Sequence, residues 1–367
     1  MEEITQMVCA DCGTLNPVGS KYCRFCGAPL SGGEQRADKE GSETESEAQG
    51  ISCWACGARN PVGARLCQTC GSLLLLEECL YLPVGTVLRG GDYTVGEVLG
   101  QGGFSITYEG SDTRLHRVVI IREFFLRGCC FRQGKLVSIA TPSITPAEFE
   151  AMKQRFRQEA KILALVNHPG IPRVYDTFEE NNTAYIVMEF LEGEPLSRLL
   201  EERGGVMEEA EAVGYILQVA EALEAVHQAG YLHRDVKPYN IFVCKDGRVV
   251  LVDFAAAEKY VAGEEVEMEP ILTPGYAPLE QYATRARFGP PLDIYALGAT
   301  LYHLLTGQVP PAAPDRATGM DLAPPHQLNP KVSRSVSEAV MKAMAMKVDE
   351  RPQTVRAFIE ILRGETG

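Results

Sequence analysis

The sequence predicts an α+β fold in which a small β-rich part precedes a larger helical part, with two small cysteine-rich units in front. Short apolar runs interrupted by glycines begin near residue 93 and predict strands. Longer stretches with apolar residues at helical spacing predict helices over 146–166 and 210–229. Eight of the 12 cysteines precede residue 71 and form four Cys-x-x-Cys pairs, which sets the start of the chain apart.

Size, charge and hydropathy exclude several classes of protein. A chain of 367 residues can bury a large core and exceeds one average domain. The formal charge of -14 argues against non-specific binding to nucleic acid or to an anionic membrane. There is no basic-then-apolar leader and no apolar run of about 20 residues, so we expect a cytoplasmic protein without a membrane partner. In that reducing compartment, paired cysteines favour metal binding over disulfides.

The cysteine pairs form an internal repeat. Ten residues separate the two pairs of each unit, both gaps contain Asn-Pro-Val-Gly, and the second unit begins at Cys53, 44 residues after Cys9. Four thiolates in this spacing match a closed structural zinc site, and the unit resembles a double zinc ribbon with two Zn²⁺ ions. Disulfides and an iron–sulfur centre are the alternatives, and the repeated spacing favours zinc over both. The expected ligands are Cys9, Cys12, Cys23 and Cys26 in one unit and Cys53, Cys56, Cys67 and Cys70 in the other.

Changes in composition predict the domain boundaries. Residues 31–50 are rich in Ser, Gly, Glu and Gln, which predicts a flexible acidic linker. The zinc ribbons are expected over 1–30 and 51–75, a connector over 76–92, and the large domain over 93–363. The ribbons are too small to bury much surface, so zinc binding would supply much of their folding free energy.

The segment Tyr231–Asn240 holds an acid, a base and an amide at fixed offsets. The carboxylate of Asp235 is suited to accept a proton from a substrate hydroxyl, and the ammonium of Lys237 to neutralise a moving phosphoryl group. The amide oxygen of Asn240 is a candidate metal ligand. Asp253 follows an apolar run that predicts a buried strand, which places a second metal-binding side chain at a strand end.

These residues resemble the catalytic loop and the magnesium loop of the protein kinases. Lys237, together with Thr273 in a segment that resembles the family's substrate-positioning element, resembles Ser/Thr rather than Tyr kinases. The resemblance implies a bilobal protein-kinase fold with a small β-rich N-lobe and a larger helical C-lobe. It also implies ATP and Mg²⁺ as cofactors and a protein as substrate. Asp235 would orient or deprotonate the acceptor hydroxyl, and Asn240 and Asp253 would hold Mg²⁺.

The resemblance extends to nucleotide-binding residues upstream. Gly100, Gly102 and Gly103 resemble the glycine turn whose backbone approaches phosphate oxygens. Arg122 stands where the family has the lysine that contacts the α- and β-phosphates. Glu159 matches the glutamate that pairs with that lysine, so we expect a bidentate pair between Arg122 and Glu159.

The same resemblance assigns roles to residues further along the chain. Backbone groups of Glu189 and Leu191 would meet the adenine ring. Glu280 would form a structural ion pair with Arg351, and Asp293 would brace the backbone of the catalytic loop.

Two departures from the family pattern bear on activity. Arg122 keeps the positive charge of the usual lysine but is longer and planar, and Ala255 replaces the glycine of the magnesium loop. Three functions stay open. The first is a Ser/Thr protein kinase whose zinc ribbons are docking or regulatory modules for a protein partner. The second is a pseudokinase scaffold with weak or no transfer because of Arg122, and the third is a zinc-ribbon protein-interaction module as the main function. The acidic balance argues against nucleic acid as the partner.

The predicted helix over 146–166 has an apolar face that should pack into the core. Its residues are Phe149, Met152, Phe156 and Leu163. The proline-rich stretch Pro310–Pro330 is expected to be a loop.

The segment equivalent to an activation loop has an unusual composition. Between Phe254 and Leu272 there is no Ser or Thr, and Glu264, Glu265, Glu267 and Glu269 cluster there instead. We therefore hypothesise that this loop is not switched by Ser/Thr phosphorylation, with carboxylates in the place of a phosphate near Arg234. A solvated acidic loop without that role is the alternative.

Overall fold

A computed structural model describes the backbone of residues 6–8, 15–17 and 51–52, and residues 53, 58–61, 64, 67–69, 80–139, 144–269 and 271–365 with their side chains. Contacts divide the chain into a first unit, residues 1–11, 15–157 and 175–190, and a second unit, residues 12–14, 158–174 and 191–367. None of the helices in the described ranges combines the length and the apolar character needed to cross a bilayer.

Two short hairpins lie in the cysteine-rich part. Strand β1 (Gln6–Val8) pairs antiparallel with β2 (Leu15–Pro17), and β3 (Ile51–Ser52) pairs antiparallel with β4 (Arg59–Asn60). Met7 lies opposite Asn16 in one hairpin, and Ile51 lies opposite Asn60 in the other. Both partners are displaced by the same 44 positions as the cysteines, so the sequence repeat is also a repeat of strand register. The predicted linker over 31–50 lies outside the described residues.

A six-stranded sheet forms the main body of the first unit. The strands that follow along the chain are β5 (Val87–Leu88), β6 (Tyr93–Gln101), β7 (Ser105–Asp112), β8 (Arg117–Phe124), β9 (Cys130–Gln133), β10 (Leu136–Ile139), β11 (Val174–Glu180) and β12 (Thr183–Glu189). The sheet order is β11–β12–β8–β7–β6–β5, while β9 and β10 form a separate hairpin. The prediction of strands from residue 93 onwards is confirmed. Strand β5 lies in the predicted connector and pairs with β6.

Alternating side chains of the sheet form its buried face. Ile106 and Tyr108 on β7, Ile121 on β8 and Tyr185 on β12 are fully buried. Such alternation follows from the two-residue repeat of a strand. It fixes which residues of β8 point into the core.

Helix α1 (Pro146–Leu165) confirms the helix predicted over 146–166. It begins with a capping box, because Thr145 Oγ1 accepts the N–H of Glu148 while the Glu148 carboxylate accepts the N–H of Thr145. The Phe149 and Phe156 rings lie 5.2 and 5.7 Å from the ring of Phe124, and both side chains are buried. The prediction for Met152 was wrong, since it is 39% exposed on the outer side of the helix.

The second unit is mainly helical. Its helices are α2 (Leu196–Glu202), α3 (Glu209–Gln228), α4 (Pro291–Thr306), α5 (Ala313–Ala317), α6 (Pro325–Leu328), α7 (Arg334–Ala343) and α8 (Val355–Arg363). Its short strands are β13 (Gly193–Pro195), β14 (Tyr231–Leu232), β15 (Ile241–Cys244), β16 (Val249–Leu251), β17 (Glu258–Lys259), β18 (Val266–Glu267) and β19 (Arg285–Ala286). Helix α4 is buried along most of its length, which explains its nearly continuous apolar sequence. Strands β13, β15 and β16 form one small sheet, and β14 pairs with β17 and β18 with β19.

The stretch Pro310–Pro330 is not simply a loop, which corrects the prediction. It contains the short helices α5 and α6. Each has a proline at its first or second position, where the missing N–H costs no hydrogen bond and the fixed φ suits a helix. The prolines that suggested a loop therefore start two helical turns.

Candidate active site

The loop between β14 and β15 carries the predicted acid. Asp235 Oδ1 accepts a hydrogen bond from Thr273 Oγ1 at 2.6 Å, and Oδ2 accepts one from Asn240 Nδ2 at 2.8 Å. Lys237 Nζ lies 2.9 Å from Oδ2. The Asp235 side chain is nevertheless 14% exposed, so the carboxylate is held in place without being sealed off.

The Thr273 hydroxyl links the Asp235 carboxylate to the Lys237 ammonium. Lys237 Nζ donates to Thr273 Oγ1 at 3.0 Å, and that hydroxyl donates its own hydrogen to Asp235. Lys237 and Thr273 are both buried, so the cation, the hydroxyl and the carboxylate form a chain of charge-assisted hydrogen bonds.

Asp235 is an anion at neutral pH. Burial raises the pKa of its carboxyl, but the Lys237 ammonium, the Thr273 hydroxyl and His233 outweigh burial and hold the pKa below its usual value. A carboxylate in this state can orient a hydroxyl group and accept its proton.

Asp293, near the start of α4, holds the same loop from behind, as predicted. Its fully buried carboxylate accepts the N–H of His233 at 2.9 Å and that of Arg234 at 2.8 Å. His227 Nε2 lies 2.7 Å from Oδ2 of the same carboxylate. Burial raises the pKa of Asp293. The opposite effect of His227, His233 and the donated N–H groups is larger, so the net pKa lies below its usual value. These bonds stabilise Arg234 in a left-handed conformation, with φ of 69°, directly before the acid.

His233 joins the acid loop to the metal loop. Its Nδ1 accepts the N–H of Asp235 at 3.3 Å, so its proton is on Nε2, which donates to the Val252 carbonyl at 3.2 Å. The ring packs edge-on against Phe254 at 4.6 Å between centroids. Burial lowers the pKa of His233, in agreement with this neutral tautomer.

Asn240 and Asp253 offer oxygen ligands of the kind that Mg²⁺ prefers. Asn240 Nδ2 donates to both the main-chain oxygen and the carboxylate of Asp235 at 2.8 Å, which leaves the amide oxygen Oδ1 as an acceptor. The Asn240 carbonyl accepts the N–H of Val252 at 2.9 Å, directly before Asp253. Asp253 has φ of 63°, a conformation that Asp tolerates better than most residues. The residues fit a magnesium ion.

Glu159 of α1 contacts the turn that follows Asp253. Its buried Oε1 accepts the main-chain N–H of Phe254 at 3.2 Å. Ala255 is not among the described residues with positive φ, so its side chain causes no backbone strain where the family has glycine. The pair between Arg122 and Glu159 stays a prediction.

The glycine turn lies between β6 and β7 in the first unit. A Cβ atom placed on Gly100 would meet no other heavy atom within 4 Å, and Gly100 does not have a left-handed φ. Neither internal packing nor backbone geometry therefore requires glycine there, whereas the close approach of a ligand's phosphates would. The N–H of Gly102 donates to the Ser105 carbonyl at 2.9 Å, and the Gly103 carbonyl accepts from Arg127 at 3.0 Å.

Arg122 lies on β8, opposite Thr107 on one side and Ile186 on the other. Its guanidinium is 5.7 Å from the centroid of the Phe156 ring, a cation–π distance. Glu189 ends strand β12 in the first unit and is half-buried, as is Leu191 in the second unit.

The structure describes two of the eight predicted zinc ligands, Cys53 and Cys67, and both are buried. The Cys67 sulfur accepts hydrogen bonds from Asn60 Nδ2 at 3.5 Å and from the N–H of Thr69 at 3.4 Å. N–H donors around a sulfur suit a thiolate bound to metal, so these residues fit zinc. Cys9, Cys12, Cys23, Cys26, Cys56 and Cys70 lie outside the described residues.

Comparison with known proteins agrees with this geometry. The model of the protein kinase domain matches residues 93–360, and the model of the double zinc ribbon matches residues 9–71. The chain belongs to the protein kinase family. Its kinase domain has the protein-kinase fold, with a β-sheet in the N-terminal part and helices in the C-terminal part.

The kinase domain is similar to bacterial Ser/Thr protein kinases. PknB of Mycobacterium leprae is 34% identical over 289 residues, which cover 75% of this chain and 43% of that protein. PknA of a Nostoc species is 30% identical over 280 residues, covering 74% and 47%. The chain therefore spans less than half the length of these relatives. The solved structure named PpkA-294 apo form is 30% identical with a TM-score of 0.68, covering 77% of this chain and 99% of that one.

A protein kinase domain implies ATP, Mg²⁺ and a protein substrate, and a double zinc ribbon implies zinc. The predicted pair in the kinase domain between Glu280 and Arg351 is confirmed, with two hydrogen bonds of 2.6 and 3.1 Å. Arg351 also donates to the carbonyls of Pro291, Ala345 and Met346, so it joins three segments of the second unit.

Sequence reasoning missed another buried acid in the kinase domain. Glu123, next to Arg122 on β8, accepts hydrogen bonds from Arg132 at 3.1 and 2.6 Å and from Tyr108 and Tyr185 at 2.9 Å. Its position could have revealed it. The alternation along β8 places Glu123 on the inward face, where only apolar residues are expected, so a charged residue there indicates a buried partner.

Proposed function

We propose that the chain is an ATP-dependent Ser/Thr protein kinase. The observation that carries this proposal is the arrangement of Asp235, Lys237, Thr273 and Asn240 around one partly exposed carboxylate. A polar loop without chemistry has no need to keep an anion open to solvent beside a buried lysine. The catalytic residues are Asp235, Lys237, Asn240 and Asp253, and the nucleotide-binding residues are Gly100, Gly102, Gly103, Arg122, Glu159, Glu189 and Leu191.

The acceptor hydroxyl binds at Asp235. The Thr273 hydroxyl donates to Asp235 Oδ1 at 2.6 Å, which supports this proposal because an acceptor hydroxyl would make the same kind of bond to the carboxylate. Asp235 orients the substrate hydroxyl and accepts its proton as the bond from that oxygen to the γ-phosphorus of ATP forms. The bond from the γ-phosphorus to the bridging oxygen breaks in the same step, and ADP leaves. The Lys237 ammonium, fixed between Asp235 and Thr273, offsets the negative charge that develops on the transferred group.

Asn240 and Asp253 supply the oxygen ligands for magnesium, and the metal, when bound, neutralises charge on the phosphates. Two hydrogen bonds hold the Asn240 amide against Asp235, so the proposed metal ligand Asn240 and the proposed general base Asp235 are positioned together. Glu159 fixes the turn after Asp253 through the N–H of Phe254. The chain's own contribution is thus to position and to stabilise charge.

The activation segment, described over residues 253–269 and 271–280, works without a Ser/Thr phosphate. Arg234 donates to the main-chain carbonyls of Ala256 at 3.3 Å and Glu269 at 2.5 Å, so it holds two points of the segment that are 13 residues apart. Met268 is buried in an apolar cluster with Leu232, Phe288 and Leu292. Phosphatase treatment should leave the activity within about twofold, and a tenfold loss would disprove this part of the proposal.

The zinc ribbons each bind one structural Zn²⁺ and serve as docking or regulatory modules for a protein partner, in a cytoplasmic protein. The N–H donors around Cys67 and the repeated hairpin register support two equivalent sites. Elemental analysis of the purified chain should find two zinc ions, and none would disprove the assignment.

The deciding experiment measures transfer of the γ-phosphate from Mg·ATP to a generic Ser-containing protein. We expect activity in the natural chain and its loss in Asp235→Asn. Asp246→Asn is the matched control, because it makes the same change at an exposed acid of the second unit. Activity that survives in Asp235→Asn would overturn the proposal.

Arg122 separates the kinase from a pseudokinase scaffold. If Arg122 serves the nucleotide, Arg122→Ala lowers transfer sharply while Arg122→Lys retains it. Absence of transfer both in the natural chain and after the lysine is restored would favour the scaffold instead.

A further inference from the structure

Residues 80–82 precede the matched kinase domain, which begins at residue 93. They nevertheless contact two of the elements to which the proposed function assigns nucleotide binding in the first unit. Tyr81 Oη donates to Gln101 Oε1 at 3.0 Å. Gln101 lies between Gly100 and Gly102, so this bond reaches the glycine turn itself.

A second set of bonds runs from the same residues to the strand that carries Arg122. The carbonyl of Leu80 accepts from Arg132 Nε at 3.2 Å, and the N–H of Leu82 donates to Tyr108 Oη at 3.1 Å. Arg132 and Tyr108 both bond the carboxylate of Glu123, the residue that follows Arg122 on β8.

The hydrogen bonds that join Leu80 and Leu82 to Arg132 and Tyr108 lie in a buried region, where water does not compete for them. The side chains of Glu123 and Arg132 are 0% and 3% exposed, so their ion pair is shielded from water and a loss of either partner would leave a buried charge. Leu82 is also buried, at 2% exposed, which places the segment against the sheet rather than in solvent.

We propose that Leu80–Leu82 is a positioning segment for the nucleotide, with Tyr81 as its main positioning residue. The segment supports the glycine turn through Gln101 and the Arg122 strand through Tyr108, Arg132 and Glu123. The functional kinase unit therefore begins at residue 80, within the stretch that joins the second zinc ribbon to the kinase domain. This inference rests on the proposed function, since it concerns the same nucleotide site.

The test is Tyr81→Phe in the full-length chain, because this change removes one hydroxyl and keeps the ring. Loss of a hydrogen bond to the glycine turn should raise the KM for ATP by about 3- to 10-fold while kcat changes by less than about twofold. Hydrogen exchange of the amides over 99–106 should become faster. The melting temperature should fall by at most about 4 °C, as expected for the loss of one hydrogen bond in a domain of this size, whereas a larger fall would indicate a general loss of stability.

Tyr175→Phe is the matched control, since it makes the same change on the edge strand β11 of the same sheet, where the Tyr175 ring stacks on Arg117. It should leave the KM for ATP and the exchange of the turn unchanged. A double-mutant cycle with Gln101→Ala should show that the effects of the two changes do not add, because both remove the same bond.

The proposal is overturned if Tyr81→Phe leaves the KM and the exchange over 99–106 unchanged, or if its effect adds fully to that of Gln101→Ala. Failure of the proposed function itself is distinguishable, because a chain without transfer activity still allows calorimetric titration with Mg·ATP and hydrogen exchange. In that case the same 3- to 10-fold weakening must appear in the Kd for ATP.

Discussion

Glu123 in the first unit and Asp235 in the second are both carboxylates held by a basic side chain and by hydroxyl groups. Glu123 is bonded by Arg132 and two tyrosines and has no exposed surface. Asp235 is bonded by Lys237, Thr273 and Asn240 and remains 14% exposed. The difference lies in access to solvent, and it separates an acid that stabilises the fold from one that can meet a substrate.

The largest effect on activity should come from the open carboxylate. Asp235→Asn should lower kcat by about 10²- to 10⁴-fold, the usual contribution of a positioned base. Its unfolding free energy should fall by about 1–3 kcal/mol, because Asn has one acceptor oxygen where Asp has two and the buried Lys237 loses its counter-ion, while the side chain stays partly open to water. Steady-state kinetics and urea unfolding of the same preparation check both numbers. A variant that unfolds instead would make Asp235 a structural acid like Glu123.

Changes to the fully buried carboxylate of Glu123 should mainly lower stability. Glu123→Ala leaves Arg132 buried without its counter-ion and should cost about 3–5 kcal/mol of stability. Combining it with Arg132→Met should recover much of that loss, because an apolar pair needs no counter-charge. The exposed pair of Lys245 with Glu192 is the control, and Glu192→Ala should cost at most about 1 kcal/mol. Equal losses at the two sites would contradict the role of burial.

A smaller effect on kcat is expected from changes to Thr273, whose hydroxyl joins Asp235 to Lys237. Thr273→Val removes the donor to Asp235 and the acceptor for Lys237 and should lower kcat by about 10- to 100-fold. Thr273→Ser keeps the hydroxyl and should retain most of the activity. If the serine variant is as slow as the valine variant, the methyl group of Thr273 matters rather than its hydroxyl. The Thr273 hydroxyl would then not hold Asp235 in the way that the Tyr108 and Tyr185 hydroxyls hold Glu123.

The smallest effect is the one expected from pH. The folded-state pKa values of Asp235 and Asp293 lie below their usual value of 3.8, so their ionised forms contribute stability above that pH. This contribution is lost only as the pH falls through the lower folded-state values. Titration of these two acids should therefore change neither kcat nor stability between pH 5 and pH 8. An acid limb of kcat in that range that disappears in Asp235→Asn would show that Lys237 fails to keep the acid ionised.

Motifs with fixed spacing predicted the second unit well. Lys237 and Asn240 lie close to Asp235 in sequence, and their offsets within one loop largely determine that these side chains can meet. The contact of Asp235 with Thr273 was not predicted, because it joins two separate segments of the chain. Asp293 and the pair of Glu280 with Arg351 were also predicted, because the family resemblance supplied the long-range partner. These contacts were confirmed by the structure.

The network around Glu123 could not be predicted in the same way. Its members come from strands β7, β8, β9 and β12, and the register of these strands decides which of them meet. The hairpin of β9 and β10 that supplies Arg132 was not predicted, although Gly134 in its two-residue loop is typical of a hairpin. Local sequence pattern misled the predictions for Met152 and for Pro310–Pro330. Packing decides which side of α1 is buried, and it decides where α5 and α6 begin.

Arg351 closes the second unit from far along the chain. It joins Glu280 to the carbonyls of Pro291, Ala345 and Met346, and its guanidinium is fully enclosed. During synthesis the ribosome must therefore deliver residue 351 before the segment around Glu280 can take its final arrangement. We expect nascent chains that end before this arginine to leave the Glu280 carboxylate without this partner and the second unit incompletely folded.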